Sequence, residues 1–235
     1  MPLLFDAHCH LQALAADGAG SAIARARASG VARMACCATG EADWAAVQAL
    51  AGAHPEVVPL FGLHPWKAAG ARPGWEARLE DLLALSPAGL GECGLDFSRR
   101  TADREAQVAA LRLQLRLAGR LDRPVALHCV RAWGPLLGLL REAGVPSAGA
   151  MVHAFSGSAE TARELQDLGL FLSFTRPGPA LGAVREDRLL VESDGDPSEL
   201  PRRIADLATA RGVSAAALGE AARRNAERLF GRTRP

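Results

Sequence analysis

Lysine is almost missing from this chain. It occurs once, as Lys67, among 27 basic residues, so the cationic side is carried by arginine. A charge excess is missing too: 27 basic residues meet 26 acidic ones, for a formal net charge of +1. That balance gives no ground, on charge alone, for an extended nucleic-acid groove, and is compatible with small, local phosphate contacts. No apolar run approaches the roughly 20 residues that a membrane helix needs. No Gly/Ser-rich linker, low-complexity tail or internal repeat interrupts the 235 residues, so a single domain, 1–235, is expected. No basic, apolar leader precedes the first strand-like run, which makes a cytoplasmic, membrane-free protein the expectation; a monomer is favoured. The five cysteines (Cys9, Cys36, Cys37, Cys93 and Cys129) are odd in number and lie in or beside apolar runs. They lack the spacing of a disulfide framework and read as buried free thiols.

What the chain does have is rhythm. Apolar residues make up 49% and charged residues 23%, an ordinary globular balance. Apolar runs alternate with stretches of helical period along the whole length. After a first strand from Leu3, strands are expected at 31–38, 57–63, 89–95, 124–129, 148–155, 170–174 and 189–194. Helices are expected at 19–29, 41–53, 75–85, 102–121, 135–143, 159–168, 201–210 and 214–230. Repeated βα units favour a parallel sheet. Eight in a row favour an α/β fold of the closed TIM-type (β/α)8 kind. Residues 175–188 carry Pro177 and Pro179 and leave no room for a full helix, so the barrel is expected to be distorted, if anywhere, between strands seven and eight.

The first strand runs into Asp6-Ala7-His8-Cys9-His10. Strand alternation puts Asp6, His8 and His10 on one face and Ala7 and Cys9 on the other. Other strands end the same way, with His64 after strand three, Glu92 on four, His128 on five, His153 on six and Asp194 on eight. Only His54, in a loop, stands apart from this pattern among the six histidines. In a barrel of this type the C-terminal strand ends meet in one mouth. Several imidazoles and two carboxylates buried together are costly without a cation between them. The nitrogen and oxygen donors suit Zn²⁺, Mn²⁺, Fe²⁺, Ni²⁺ or Mg²⁺. They can fill one site, or serve two ions if a carboxylate bridges. A pair of ions about 3.5–4 Å apart is a recurrent device for phosphate-ester hydrolysis. Asp194 is then the expected partner for the proton of the attacking water.

These residues fall in successive motifs: Asp6-x-His8-Cys9-His10-Leu11, Gly62-Leu63-His64-Pro65, Gly91-Glu92-Cys93-Gly94-Leu95-Asp96-Phe97, Leu127-His128-Cys129, Val152-His153-Ala154-Phe155-Ser156-Gly157-Ser158, Glu192-Ser193-Asp194 and Asn225-Ala226-x-x-Leu229-Phe230. The series closely resembles the TatD-like metal-dependent hydrolases over nearly the whole chain. The resemblance implies a TIM-barrel hydrolase holding two divalent ions (Mg, Mn or Zn). Members are known as magnesium-dependent DNases, some of them 3′→5′ exonucleases. By matching positions, His8, His10, Glu92 and Asp194 would hold one metal, and Glu92, His128 and His153 the other. Glu92 would bridge, and His64 would face the substrate phosphate. Two departures are visible. The segment between strands seven and eight is short for the family. Gly195-Asp196-Pro197-Ser198 stand where the family usually has an Ala/Ser-Pro-Tyr/Phe-Leu-like run and a basic loop.

Together these features point to a phosphodiesterase or deoxyribonuclease that uses a metal-bound hydroxide on single strands or ends. Asp194 and Glu92 are the expected catalytic pair. Hydrolysis of another bond (a cyclic amide or lactone) and a non-catalytic binding protein are the alternatives. A lysine-bridged metal pair is not expected at strand four, because Glu92 stands there and Lys67 lies in a loop. At the rim, Asp96 and Arg131 are candidate substrate contacts. Arg99-Arg100 can meet phosphate, and Trp66 and Trp133 can stack on a base or pack the rim.

Overall fold

The computed structural model describes residues 3–14, 18–231 and 233. Eight strands alternate with helices and form one parallel sheet in the order β1 to β8. The strands are β1 (Leu4–Cys9), β2 (Val31–Cys37), β3 (Val57–Phe61), β4 (Gly89–Asp96), β5 (Val125–Val130), β6 (Ala150–Val152), β7 (Phe171–Phe174) and β8 (Leu189–Val191). The helices are α1 (Gly18–Ala28), α2 (Glu41–Ala53), α3 (Trp75–Ala84), α4 (Arg104–Leu121), α5 (Trp133–Ala143), α6 (Ala159–Asp167), α7 (Leu200–Arg211) and α8 (Ala215–Phe230). Among the described residues no helix is long and apolar enough to cross a membrane.

Strand alternation sorts the apolar residues into two layers. Met34, Cys36, Val57, Phe61, Val125, Leu127, Val152 and Leu189 belong to the large cluster packed under the helices. Ala35, Cys37, Val58, Leu60, Ala126, Met151 and Leu190 form a second cluster inside the barrel. Helix α8 closes that interior from below. Its Leu229 and Phe230 join the inner cluster, and the Phe230 ring lies 6.0 Å from that of Phe5. The inward parity continues upward along β5 and β6 to His128 and His153, so the apolar floor gives way to a polar mouth.

Three sequence expectations change. Ala7 and Cys9 do not share a face: Ala7 packs in the inner cluster and Cys9 in the outer one. The pairing of β1 with β2 shifts register between Asp6 and Cys9, which breaks strict alternation. Strands six and eight are shorter than expected. Ala154 (φ 43°) and Asp194 (φ 56°) turn into the left-handed region and take the chain out of the sheet. The 175–188 connection does lack a helix, and only 3₁₀ turns at Leu181–Ala183 and Glu186–Arg188 occupy it. The sheet itself stays paired there, from Leu172↔Leu189 to Phe174↔Val191. The barrel closes at the β8–β1 seam, where the Asp194 N–H donates to the His8 carbonyl at 3.0 Å. The Ser193 N–H donates to Asp6 Oδ1 at 2.9 Å across the same seam.

Candidate metal centre

The sequence places the polar residues at the upper strand ends, and the barrel brings them together on Glu92. Its Oε1 lies 2.9 Å from His128 Nδ1, 2.9 Å from His153 Nε2 and 3.3 Å from His64 Nε2. Its Oε2 lies 3.2 Å from His10 Nε2 and 3.5 Å from His8 Nε2. Asp194 Oδ1 stands 3.7 Å from His10 Nε2 and 4.0 Å from His8 Nε2. Glu92 comes within reach of this crowd because Gly94 lets β4 run close against β5. A Cβ on Gly94 would stand 2.0 Å from the His128 carbonyl oxygen.

The outer nitrogen of each imidazole fixes which inner nitrogen is bare, since a neutral ring carries one proton. His10 Nδ1 is 2.8 Å from the Cys37 carbonyl, an acceptor only. His128 Nε2 is 3.1 Å from Asp96 Oδ2. His153 Nδ1 faces Glu192 Oε1 at 3.5 Å, and His8 Nδ1 lies 3.3 Å from the Cys37 thiol. When neutral, the His10, His128 and His153 rings keep the proton on the outer nitrogen and turn an inner lone pair to the centre. The Cys37 thiol can both donate and accept, so it does not set the His8 tautomer. His64 is the opposite case. Its Nδ1 accepts the Trp66 N–H at 3.2 Å, so Nε2 holds the proton and points a donor inward.

Those lone pairs crowd one another. The inner nitrogens of His8 and His10 are 3.1 Å apart, and those of His128 and His153 are 3.0 Å apart. Each pair also faces a carboxylate oxygen. Such an arrangement is repulsive unless a positive charge sits inside it. In the metal-free chain protons supply that charge. Burial disfavours the imidazolium of His10, yet its hydrogen bond to Glu92 and the charge there push its pKa up to about 9. His153, also disfavoured by burial, is raised well above its ordinary value by the charge of Glu92 and by Glu192 behind it. Burial dominates at His8 and lowers its pKa. Glu92, despite its burial, is held well below the usual carboxylate range by the imidazoles around it. The donor set therefore fits divalent cations, with nitrogen and oxygen atoms clustered closely enough for ligation.

Behind the ring of donors lies a buried brace that the sequence reading quoted but gave no role. Glu192 Oε1 accepts the Ala154 N–H at 2.7 Å, and its Oε2 accepts the Ser173 hydroxyl. Its place two residues before Asp194 was the available signal, because same-face spacing aims both inward. Asp6 Oδ1 accepts backbone N–H groups from His8 and Ser193. Burial raises the Asp6 pKa to about 7 against those bonds.

The rim residues separate. Asp96 is buried one layer behind the cavity, where Ser98, Trp66 and His128 all bond its carboxylate. Arg131 is exposed on the rim with φ 54°. Trp133 packs its ring on Phe155, with centroids 4.9 Å apart, and so serves rim packing. Trp66 stays half exposed beneath Arg99. A cavity of about 320 Å³ opens over Glu92, walled by His10, His64, His128 and His153 together with Thr39, Trp66, Lys67 and Asp194. Thr39 and Lys67 had no expected role at the mouth.

Residues 5–231 match the family model described as TatD-related DNase. A 3′-5′ ssDNA/RNA exonuclease TatD of Klebsiella pneumoniae is 33% identical, over 89% of this chain and 90% of its own. One from Cronobacter sakazakii is 37% identical over 78% and 73%. Among solved structures, a TatD homologue from Escherichia coli K12 superposes with a TM-score of 0.89 at 27% identity, covering 97% of this chain and 98% of that one.

Proposed function

This chain belongs to the TatD-related DNase family, and on that premise we propose that it hydrolyses phosphodiester bonds at the 3′ end of single-stranded nucleic acid. The observation that carries the reading is the convergence of five imidazoles on Glu92, of which His64 alone has its outer nitrogen occupied by a backbone N–H donor. His8, His10, Glu92 and Asp194 would hold one divalent ion, and Glu92, His128 and His153 a second. Bound there, such ions offset charge on phosphoryl oxygens and make a water acidic enough to attack near neutral pH.

The chain's own residues do the rest. His64 cannot ligate through a protonated Nε2. It donates instead to a non-bridging phosphate oxygen, and the Trp66 N–H keeps it in that tautomer. Asp194 takes the proton of the attacking water. Its side chain is 39% exposed at the open edge of the donor ring, so the proton can pass on to solvent. Asp96 and Glu192 fix the rings of His128 and His153 from behind, as outer partners do in metal sites.

The test is end-labelled single-stranded DNA and RNA with Mg²⁺ or Mn²⁺. Mononucleotides released stepwise from the 3′ end are expected, with loss of activity in chelator. Turnover of lactones or cyclic amides, with the oligonucleotides left intact, would remove the nuclease reading.

A further inference from the structure

The wall beside His64 is more elaborate than a phosphate site requires. The 3₁₀ turn Pro65–Gly70 follows β3 at the mouth and sets Trp66 and Lys67 side by side on the central cavity. Trp66 is 52% exposed, yet it is tied along one edge. Its Nε1 donates to Asp96 Oδ2 at 2.8 Å, and the Arg99 guanidinium lies 3.7 Å over its ring. The two planar groups form a short stack that is open to solvent. His64 stands against the same indole, with ring centroids 4.9 Å apart. A phosphate at His64 would therefore sit beside this stack.

Lys67, the one lysine of the chain, is held at its tip by two neighbours. Its Nζ donates to Thr39 Oγ1 at 2.5 Å and lies 3.8 Å from Asp43 Oδ2. An ammonium has three N–H donors, so one stays available to the cavity. Its stem crosses Gly40, where a Cβ would stand 2.8 Å from Lys67 Cδ. Only glycine leaves that path open without a shift of the lysine.

We propose that Trp66, Arg99 and Lys67 form a nucleotide subsite: an unpaired base extends the Trp66–Arg99 stack while Lys67 holds a neighbouring backbone phosphate. The proposal rests on the nuclease reading and narrows its substrate. Stacking on aromatic and guanidinium planes needs a splayed base, so an end that keeps its base is favoured over an abasic one and a frayed strand over a paired one.

The test compares a fluorescent single-stranded oligonucleotide with the same strand made abasic at its last two 3′ positions. Binding is read by anisotropy on the Mn²⁺-loaded Asp194→Asn protein. The intact strand should bind about tenfold or more tightly, the scale of base–aromatic stacking. Adding Trp66→Ala should erase the difference, and Trp66→Phe should keep most of it. Lys67→Ala should weaken both strands alike and lower the salt slope by about 0.7, the value of one phosphate contact on a single strand. An intact-to-abasic ratio near one, or a ratio untouched by Trp66→Ala, overturns the base platform. An unchanged salt slope overturns the lysine contact. Cleavage assays with the wild type separate the two claims. Stepwise cleavage without base preference in binding sinks the subsite alone. Base preference without any cleavage keeps the subsite and sinks the nuclease.

Discussion

The two oxygens of Glu92 look out on unlike halves of the mouth. On the Oε1 side stand His128, His153 and His64, whose side chains are 6–12% exposed. Asp96 and Glu192 brace two of those rings from behind. On the Oε2 side His8 is fully buried, but the set ends on Asp194, 39% exposed and in the left-handed region at φ 56°. That residue is held to the barrel through its backbone, by the bond from its N–H to the His8 carbonyl. One half is closed and over-determined. The other is open and carries a residue of uncommon backbone conformation, of the sort that clusters at working sites. The proposed division of labour, holding in the first half and proton traffic in the second, rests on this difference.

Removing the shared oxygen pair should break both halves at once. Glu92→Gln should cut kcat by about 10³-fold or more, beyond the 10²–10³ of a single electrostatic stabiliser. Bound metal, read by plasma emission after desalting, should fall for both ions together. Asp194→Asn should touch one half only. A fall of about 10²–10³ in kcat is expected, the scale of one such group, with the His128/His153 ion retained. Loss of both ions in Asp194→Asn would show that the halves are not independent.

The brace sharpens the contrast. Glu192→Gln should weaken metal affinity or activity about 10–100-fold, the usual cost of an outer partner. It should do so at the closed half, leaving the Asp194 side loaded. Acidity then probes the open half. The raised pKa of His10, about 9, belongs to the metal-free protein. Its pair with Glu92 stabilises the metal-free fold fully below 6.5, the ordinary imidazole value, and that contribution fades as pH rises through about 9. Metal must displace this proton, so affinity should rise with pH up to about 9, with a proton released on binding. Calorimetry in two buffers of different ionisation enthalpy reads that release, and pH-independent affinity would contradict it. At the small end, Arg131→Ala should raise KM a few-fold with kcat unchanged, the mark of uniform binding.

The barrel and the donors were legible in the sequence for the same reason. Parallel strands alternate faces and end together, so His64, His128, His153 and Asp194 at successive strand ends predict one mouth. What was not legible lies in contacts between remote elements. The Cys37 carbonyl that sets the His10 tautomer is a backbone group, invisible in a residue pattern. The Cys37 thiol beside His8 read as a buried structural cysteine. Lys67 read as a loop residue, because its path over Gly40 and its bond to Thr39 join positions far apart in sequence. The register shift after Asp6, set by pairing with β2, moved Ala7 and Cys9 apart.

An anomalous difference map from crystals grown with Mn²⁺ or Zn²⁺ addresses the convergence on Glu92 most directly. Two peaks about 3.5–4 Å apart are expected, one between His8, His10 and Asp194 and the other between His128 and His153, with His64 outside both coordination shells. A peak bonded to His64 Nε2, or no peak within reach of Glu92, would contradict the assignment.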